Sequence, residues 1–322
     1  MFYYDQKGIR LYRHDLWLDA HRKTTYSFVS HGHADHLKNH DKILATPPTA
    51  AFHALRARQK QVIELDFGVK YELEDAVLEL FPAGHVLGSA MIRVEIDGMS
   101  MLYTGDFKVK PSFTARQIEI PPADILIMES TFGSPEYVYN QPEGQLEQEL
   151  YGFIEDCFKN GVTPVVLAYS LGKAQEAMKI LEIGGYRTRV HRAAWEIAKI
   201  YRKYGVIFER CTPWKDEAVE PGEVLLIPPH LLRFRKVKNL PPRNRKVLLS
   251  GWASREGGPH FHCDHAIPLS DHADFNELLE FVRQVNPQQV FTTHGAESFP
   301  HYLRDIGYKA EYLTDTSKFT II

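Results

Sequence analysis

Residues 30–40 of the chain read SHGHADHLKNH, which places four histidines and one aspartate in eleven positions. They directly follow residues 26–29 (YSFV), an aromatic and apolar run that predicts a strand. Because alternate side chains of an extended segment share a face, His31, His33 and Asp35 are expected to point the same way. His36 adds a fourth donor at the turn. Imidazole and carboxylate donors without a thiolate suit Zn²⁺, Mn²⁺ or Fe, so the stretch predicts a catalytic metal site.

Further donors follow other predicted strands. His85 lies in a glycine-rich turn after LELF, Asp106 follows MLY, and His294 follows VF. A single histidine after a strand is more often a structural, hydrogen-bonded residue. Four donor groups at strand ends together indicate one shared metal site.

A second HxHxDH pattern occurs at residues 260–265 (HFHCDH). It follows the flexible turn GGP and not a strand, so its side chains would not be held rigidly. We therefore predict the metal site at residues 31–36. The second pattern stays open as an accessory metal or substrate loop.

Composition limits the classes of protein that this chain can represent. A net charge of −3 over 322 residues excludes a strongly basic coat or tail protein, but a local basic patch could still bind nucleic acid. Three widely spaced cysteines form no CxxC and indicate a reducing compartment. No apolar run approaches the roughly 18 residues of a membrane span, and the N-terminal residues lack the apolar core of a signal peptide. We predict a soluble cytoplasmic protein without a membrane partner.

The order of patterns along the chain predicts an α/β protein. Short apolar runs alternate with polar turns over about the first 130 residues, as in the strands of a layered domain. Residues 145–158 then show helical spacing, residues 163–170 predict a buried strand, and residues 171–181 predict a helix with Ser170 as its N-cap. We expect one domain in two pieces, 1–137 and 248–322, and an insert at 138–247.

Seven motifs together resemble one family. They are HGHADH at 31–36, GHVLGSA at 84–90, TGDF at 104–107, ESTFG at 129–133, SLGKAQE at 170–176, SDHADF at 270–275 and THG at 293–295. Over nearly its whole length the chain resembles the metallo-β-lactamase superfamily, and specifically its β-CASP nuclease branch. It is most similar to the short bacterial exonucleases associated with DNA ligase and helicase genes. The resemblance implies an α/β, four-layer αββα sandwich with a reduced β-CASP domain inserted after ESTFG.

The resemblance also implies two divalent metal ions, Zn, with Mn or Fe as alternatives. The first would be held by His31, His33 and His85. The second would be held by Asp35, His36 and His294. Asp106 would bridge the two ions, and Asp19 would support the ligand loop from behind.

The predicted catalytic residues are Asp35, Glu129 and His272. Two metals roughly 3.5–4 Å apart can clamp a phosphodiester and activate a shared water. The leaving oxygen then needs a proton, and an imidazole suits this role because its pKa lies near working pH. We predict His272 as the general acid, with Glu129 orienting its ring and raising its pKa. The alternatives are a capping or core histidine and an ordinary strand-end carboxylate.

Substrate contacts are predicted at two places. Ser170 and Lys173 open a helix whose N-terminus could bind phosphate, and the alternative is a plain cap with a solvated lysine. Residues 231–247 contain seven basic residues and no acid, which suits a groove that follows a nucleic-acid backbone better than a solvated loop. The seven are Arg233, Arg235, Lys236, Lys238, Arg243, Arg245 and Lys246.

The leading prediction is a DNA exonuclease that acts in DNA repair or processing. An RNA-processing nuclease of the same branch is the close alternative, because the THG motif is common to both. A small-molecule metallo-hydrolase is the second alternative, and the insert with its SLGKAQE and SDHADF motifs argues against it. Nucleic acid is the expected partner, and the resemblance adds a DNA ligase or helicase.

Overall fold

Two units make up the part of the chain that the computed structural model describes. The first contains Met1–Val138 and His272–Ile322, and the second contains Tyr139–Asp271. The described residues are 1–11, 13–56, 61–233, 240–254, 263–314 and 318–319. Within these ranges, no helix combines the length and the apolar character that crossing a bilayer would need.

The first unit is built on two seven-stranded sheets. The strands of the first sheet are β1 (Phe2–Asp5), β2 (Gly8–Leu11), β3 (Trp17–Leu18), β4 (Tyr26–Phe28), β5 (Lys42–Ala45), β6 (Gln61–Glu64) and β20 (Lys318–Phe319). Those of the second are β7 (Lys70–Leu73), β8 (Ala76–Pro82), β9 (Ala90–Ile96), β10 (Met99–Tyr103), β11 (Ile125–Ser130), β18 (Gln289–Gly295) and β19 (Ala310–Tyr312). The spatial orders are β20-β1-β2-β3-β4-β5-β6 and β19-β18-β11-β10-β9-β8-β7.

Alternation along β11 explains how the second sheet is packed. Ile125 and Ile127 enter an apolar core that also contains side chains of the first sheet. Leu126 and Met128 point to the opposite face, where they pack with helices. These helices are α6 (Phe275–Val285) and α7 (Phe299–Asp305). A strand buried on both faces reads as a continuous apolar run, as ILIM does here.

Three parallel strands of the second sheet end at one edge. β10 pairs with β11 and β11 pairs with β18, both in parallel. Because the carboxyl ends of parallel strands meet, Asp106, Glu129 and His294 are delivered to the same edge. The register of β11 and β18 shifts after Glu129, opposite Gly295. A Cβ at Gly295 would lie 2.0 Å from the carbonyl oxygen of Ser130, so the two strands approach here as only glycine allows.

The second unit contains a six-stranded parallel sheet in the order β14-β13-β15-β12-β16-β17. Its strands are β12 (Thr163–Leu167), β13 (Arg187–His191), β14 (Cys211–Trp214), β15 (Glu223–Ile227), β16 (Asn244–Leu249) and β17 (His265–Ile267). Its helices are α2 (Gln145–Lys159), α3 (Lys173–Ile183), α4 (Arg192–Lys203), α5 (Pro229–Arg233) and a 3-10 turn (Gly251–Ser254). The remaining helix of the described residues, α1 (Pro47–Arg56), belongs to the first unit.

Two sequence predictions differ from this structure. Residues 248–254 and 263–271, expected in the first domain, lie in the second unit because β17 pairs with β16 in its sheet. Ser170 does not cap α3: the helix begins at Lys173, and Gly172 is the N-cap. A glycine there adopts a φ of 83°, which a serine would not readily adopt.

Candidate metal centre

Four donor atoms of the first unit converge beyond the end of β4. His33 Nδ1 lies 3.0 Å from His31 Nε2 and 3.1 Å from His85 Nε2. Asp106 Oδ2 lies 3.5 Å from His31 Nε2 and 3.9 Å from His85 Nε2. One ligand atom from each of the four residues falls within 4.8 Å of all the others.

This donor set fits a zinc ion. Zn–N and Zn–O bonds of about 2.0–2.2 Å in a tetrahedron place neighbouring ligand atoms roughly 3.4 Å apart. The observed separations of 3.0, 3.1, 3.5 and 3.9 Å lie on both sides of that value. Three imidazoles and one carboxylate are also the donors that zinc accepts in hydrolytic sites.

The electrostatics of the cluster favour a cation as well. Burial and the neighbouring imidazoles hold the pKa of His31 well below its usual range, so its ring is neutral and able to donate a lone pair. Burial raises the pKa of Asp106 to about 7, although the nearby His36 acts in the opposite direction. A buried carboxylate with this pKa lacks a full countercharge, which a divalent cation would supply.

Asp19 lies behind the ligand loop and orients it. Its Oδ1 accepts a hydrogen bond of 2.8 Å from the backbone N–H of Ser30, and its Oδ2 accepts one of 2.9 Å from His36 Nδ1. The hydroxyl of Tyr103 donates a third, also of 2.9 Å. Burial alone would raise the pKa of Asp19, but His36 and Ser30 bring it below its usual value. The ionised carboxylate therefore holds a proton on His36 Nδ1. Burial would lower the pKa of His36, but Asp106 and Asp19 raise it to about 10, so a metal ion at Nε2 would displace the second proton of the ring.

The second predicted ligand set is more open than the first. His36 Nε2 lies 3.7 Å from Asp35 Oδ2 and 3.7 Å from Asp106 Oδ2. The side chain of Asp35 is 74% exposed. The His294 ring centre lies 5.4 Å from that of His36, and burial lowers the pKa of His294 to about 4. His36 thus lies close to Asp35, Asp106 and His294, and the neutral ring of His294 could act as a ligand.

Glu129 and His272 form a pair beside this cluster. His272 Nδ1 lies 3.0 and 3.1 Å from the two carboxylate oxygens of Glu129, which also accepts a 2.7 Å hydrogen bond from the N–H of Phe107. The rings of His272 and His85 are 4.6 Å apart. Burial would raise the pKa of Glu129, but His272 lowers it below its usual value. Asp274, and not His272, caps α6.

Two features near the centre were missed by the sequence analysis. Tyr103 was taken only as part of a strand, yet its buried hydroxyl contacts Asp19. His21 lies edge-on to His294, with ring centres 5.4 Å apart. A histidine two residues after Asp19 was the available signal for the second feature, whereas Tyr103 has no local signature.

Lys173 does not have the environment expected of a substrate contact. Only 4% of the residue is exposed, and Nζ donates 2.7 Å hydrogen bonds to the carbonyl oxygen of Leu269 and to Asp271 Oδ1. The ammonium is therefore paired inside the second unit and is not solvated, and a phosphate contact by Lys173 stays a prediction. Ser170 is half-buried, and its carbonyl oxygen accepts a hydrogen bond from Gln175.

The predicted basic groove is only partly described. Arg235, Lys236 and Lys238 lie outside the described residues, and Arg233 is the last residue of α5. Arg243 donates to the carbonyl oxygen of Asn160. Arg245 pairs with Asp156 and stands over the ring of Phe153. A role in nucleic-acid binding for this segment stays a prediction.

The second HxHxDH pattern has one described histidine. His265 Nε2 lies 2.6 Å from Glu149 Oε1. His260 and His262 lie outside the described residues. The choice between the two patterns therefore depends on experiment.

The sequence of this chain matches one family model and several known proteins. A family model described as "Zn-dependent metallo-hydrolase RNA specificity domain" matches residues 260–310. The chain is 38% identical over 310 residues to a protein of Opitutus terrae named "Probable DNA ligase", covering 94% of this chain and 30% of that protein. It is 27% identical over 293 residues to Endoribonuclease YSH1 of Candida glabrata, covering 72% of this chain and 38% of that protein. An RNase J-like protein of Methanocaldococcus jannaschii is 30% identical over 178 residues, which are 48% of this chain and 42% of that protein.

Together with the motifs, these matches decide the family. The chain belongs to the metallo-β-lactamase/β-CASP nuclease family. The family predicted from the motifs is confirmed. The chain spans 30% of the length of the Opitutus terrae relative, 38% of the Candida glabrata relative and 42% of the Methanocaldococcus jannaschii relative.

Proposed function

We propose that the chain is a metal-dependent nuclease that hydrolyses phosphodiester bonds, and that it acts as an exonuclease on DNA. The observation that supports this most is the donor cluster of His31, His33, His85 and Asp106. The relative that aligns with 94% of this chain is named as a DNA ligase, which favours DNA as the substrate and DNA repair or processing as the setting.

The architecture of the family is part of the proposal. The first unit would be the αββα sandwich, and the second unit would be the inserted β-CASP domain. Support comes from the apolar core that the two sheets of the first unit share, and from α6 and α7 on the far face of its second sheet. A cytoplasmic location and a DNA ligase or helicase partner also stay proposals.

We propose the ligands that the family resemblance implies, and the donor distances of His31, His33, His85 and Asp106 support the first set. His31, His33 and His85 would hold one zinc ion. Asp35, His36 and His294 would hold the other, and Asp106 would reach both. When bound, the ions would supply positive charge for the phosphoryl oxygens and lower the pKa of a coordinated water.

The remaining chemistry belongs to protein groups. Glu129 accepts a hydrogen bond from the Nδ1–H group of His272, and its negative charge stabilises the positively charged ring. The opposite ring atom, Nε2, is then oriented to give a proton to the oxygen that leaves the phosphorus. Asp19 keeps His36 in the tautomer whose Nε2 is a lone-pair donor.

The test is a panel of single- and double-stranded DNA and RNA, labelled at the 5′ or the 3′ end. The proposal predicts stepwise shortening of DNA from one end, and loss of both metal and activity in a His31→Ala/His33→Ala variant. A His260→Ala/His262→Ala variant is the matched control and should keep both. Intact DNA and RNA under all metal conditions would refute a nuclease.

RNA cleavage is the second candidate. The matched family model is described as an RNA specificity domain, and the YSH1 relative is named as an endoribonuclease. Degradation of RNA with DNA left intact in the same panel would replace the DNA assignment with this one.

A further inference from the structure

Helix α1 contacts both of the loops that supply the histidines of the first ligand set, His31, His33 and His85. We propose that α1 is a positioning element that sets the separation of His33 and His85 in the metal centre. The inference rests on the proposed function, because it concerns the same metal. It assigns a role to Thr46, which directly precedes the helix, and to the helix residues Thr49 and His53, none of which supplies a donor atom to the cluster.

At its N-terminal end, α1 holds the turn that contains His85. Thr46 Oγ1 and Thr49 Oγ1 donate hydrogen bonds of 2.6 and 3.0 Å to one acceptor, the carbonyl oxygen of Gly88. Both threonines are buried, at 1% and 0% exposed. Gly88 lies three residues after His85, so the two hydroxyls fix the far side of its turn.

The helix also lies directly against this turn. Gly88 has a φ of +76°, and a Cβ on it would lie 2.6 Å from Pro48 Cβ and 2.9 Å from Thr46 Oγ1. Real side chains do not fit at such distances, so only glycine permits the contact. The approach of helix and turn is therefore set by packing as well as by hydrogen bonds.

At its C-terminal end, α1 holds the loop that contains His33. His53 is fully buried, and its Nε2 donates a 2.9 Å hydrogen bond to the carbonyl oxygen of Lys38. Arg56 donates one of 3.3 Å to the carbonyl oxygen of Gly32, the residue directly before His33. The same helix thus contacts the loop on both sides of His33.

The threonine hydroxyls place the turn of His85 but do not form it. Ser89 Oγ already accepts the backbone N–H groups of His85 and Val86, at 3.1 and 3.2 Å. The N–H of Ala90 donates to the carbonyl oxygen of Ser30 at 2.9 Å. Because the bond from Ala90 ties only the end of the turn to the ligand loop, loss of the threonine bonds would leave the shape of the turn intact and let its Gly88 side shift relative to His33. The 3.1 Å separation of His33 Nδ1 and His85 Nε2 is the quantity that would change.

The test replaces the two hydroxyls by methyl groups of the same shape. A Thr46→Val/Thr49→Val variant removes both donors, and a Thr46→Ser/Thr49→Ser variant keeps them. Competition with a chelator measures the zinc affinity. The absorption spectrum of the Co²⁺-substituted protein reports the geometry of the ligands. Unfolding of the metal-free protein measures its stability. We expect zinc binding about 10- to 100-fold weaker in the valine variant with an altered Co²⁺ spectrum, because partners that orient ligands have effects of this size. The serine variant should bind within about threefold of the unmodified chain by the same reasoning.

Thr188, a buried threonine of the second unit, provides the matched control. Its Thr188→Val variant should leave zinc affinity unchanged. If the Thr46→Val/Thr49→Val variant does not fold, the single Thr49→Val variant tests the same bond with a smaller expected loss. Equal zinc affinity in valine and unmodified proteins would overturn the inference, as would equal losses in the valine and serine variants. Absence of zinc binding by the unmodified chain would instead reject the proposed function.

Discussion

Replacing Asp19 by asparagine is the change that should disturb the metal centre without removing a ligand. The carboxylate accepts three buried hydrogen bonds, from the N–H of Ser30, from His36 Nδ1 and from the hydroxyl of Tyr103. An asparagine oxygen can serve Ser30, but its NH₂ group then faces two donors. His36 would have to move its proton to Nε2, the atom that lies 3.7 Å from Asp106. That tautomer cannot offer Nε2 to a metal.

The expected loss of zinc affinity follows from the effects of other residues that hydrogen-bond to metal ligands and orient them. Their loss lowers metal affinity by about 10- to 100-fold, or about 1.4–2.8 kcal/mol at roughly 1.4 kcal/mol per factor of ten. We expect the upper half of this range for Asp19→Asn, because three buried donors share the one carboxylate. Chelator competition would measure the affinity, and NMR of ¹⁵N-labelled imidazoles would show which nitrogen of His36 carries the proton.

Asp15→Asn is the matched control, since that carboxylate is half exposed and pairs with Arg10. Its zinc affinity should be unchanged. If Asp19→Asn bound zinc within twofold of the unmodified chain and His36 kept its proton on Nδ1, the reasoning about Asp19 would be wrong.

Three other outcomes are expected. His272→Ala should still bind zinc, as shown by metal analysis. Its turnover should fall by about 10²- to 10⁴-fold, because loss of a general acid has effects of this size. Unchanged turnover would remove His272 from the mechanism. Gly88→Ala should lower the free energy of unfolding in urea by about 1–3 kcal/mol more than Gly68→Ala. Both glycines have a positive φ, but only Gly88 has close neighbours. Equal losses in the two variants would contradict the packing argument. Burial and the nearby His53 lower the pKa of His40 to about 4 in the folded protein, so the unfolded chain binds more protons between pH 4 and its usual pKa of about 6.5. The free energy of unfolding should therefore fall as pH falls through that window, and less so in His40→Asn; identical pH profiles of the two metal-free proteins would contradict this.

The positions of the donor residues could be predicted because the rule behind them is simple. Residues that follow parallel strands meet at one edge of a sheet, and β10, β11 and β18 are parallel neighbours. Each of these strands is also an apolar run that the sequence displays clearly. The sequence alone was therefore enough to predict that Asp106, Glu129 and His294 lie close together.

The residues that hold those side chains in place could not be predicted in the same way. Tyr103 is one of several buried aromatic strand residues, and its bond to Asp19 joins positions 84 residues apart. Nothing in the letters of α1 (PPTAAFHALR) separates a helix that holds two ligand loops from an ordinary amphipathic helix. For Lys173, helical position predicted an exposed cation, whereas the carbonyl and carboxylate that bury it come from residues 269 and 271. The domain boundary near residue 248 failed because β17 has only three residues, too few for a strand pattern.

Gly295 has a consequence for how mutations in this chain will be distributed. Its backbone touches that of Ser130 so closely that any side chain would force β11 and β18 apart. Glu129 and His294 are the residues next to that contact, one on each strand. A random screen for inactive variants should therefore recover substitutions at a residue that has no reactive atom of its own. Such variants would displace the group proposed to orient the general acid and a proposed metal ligand in a single step.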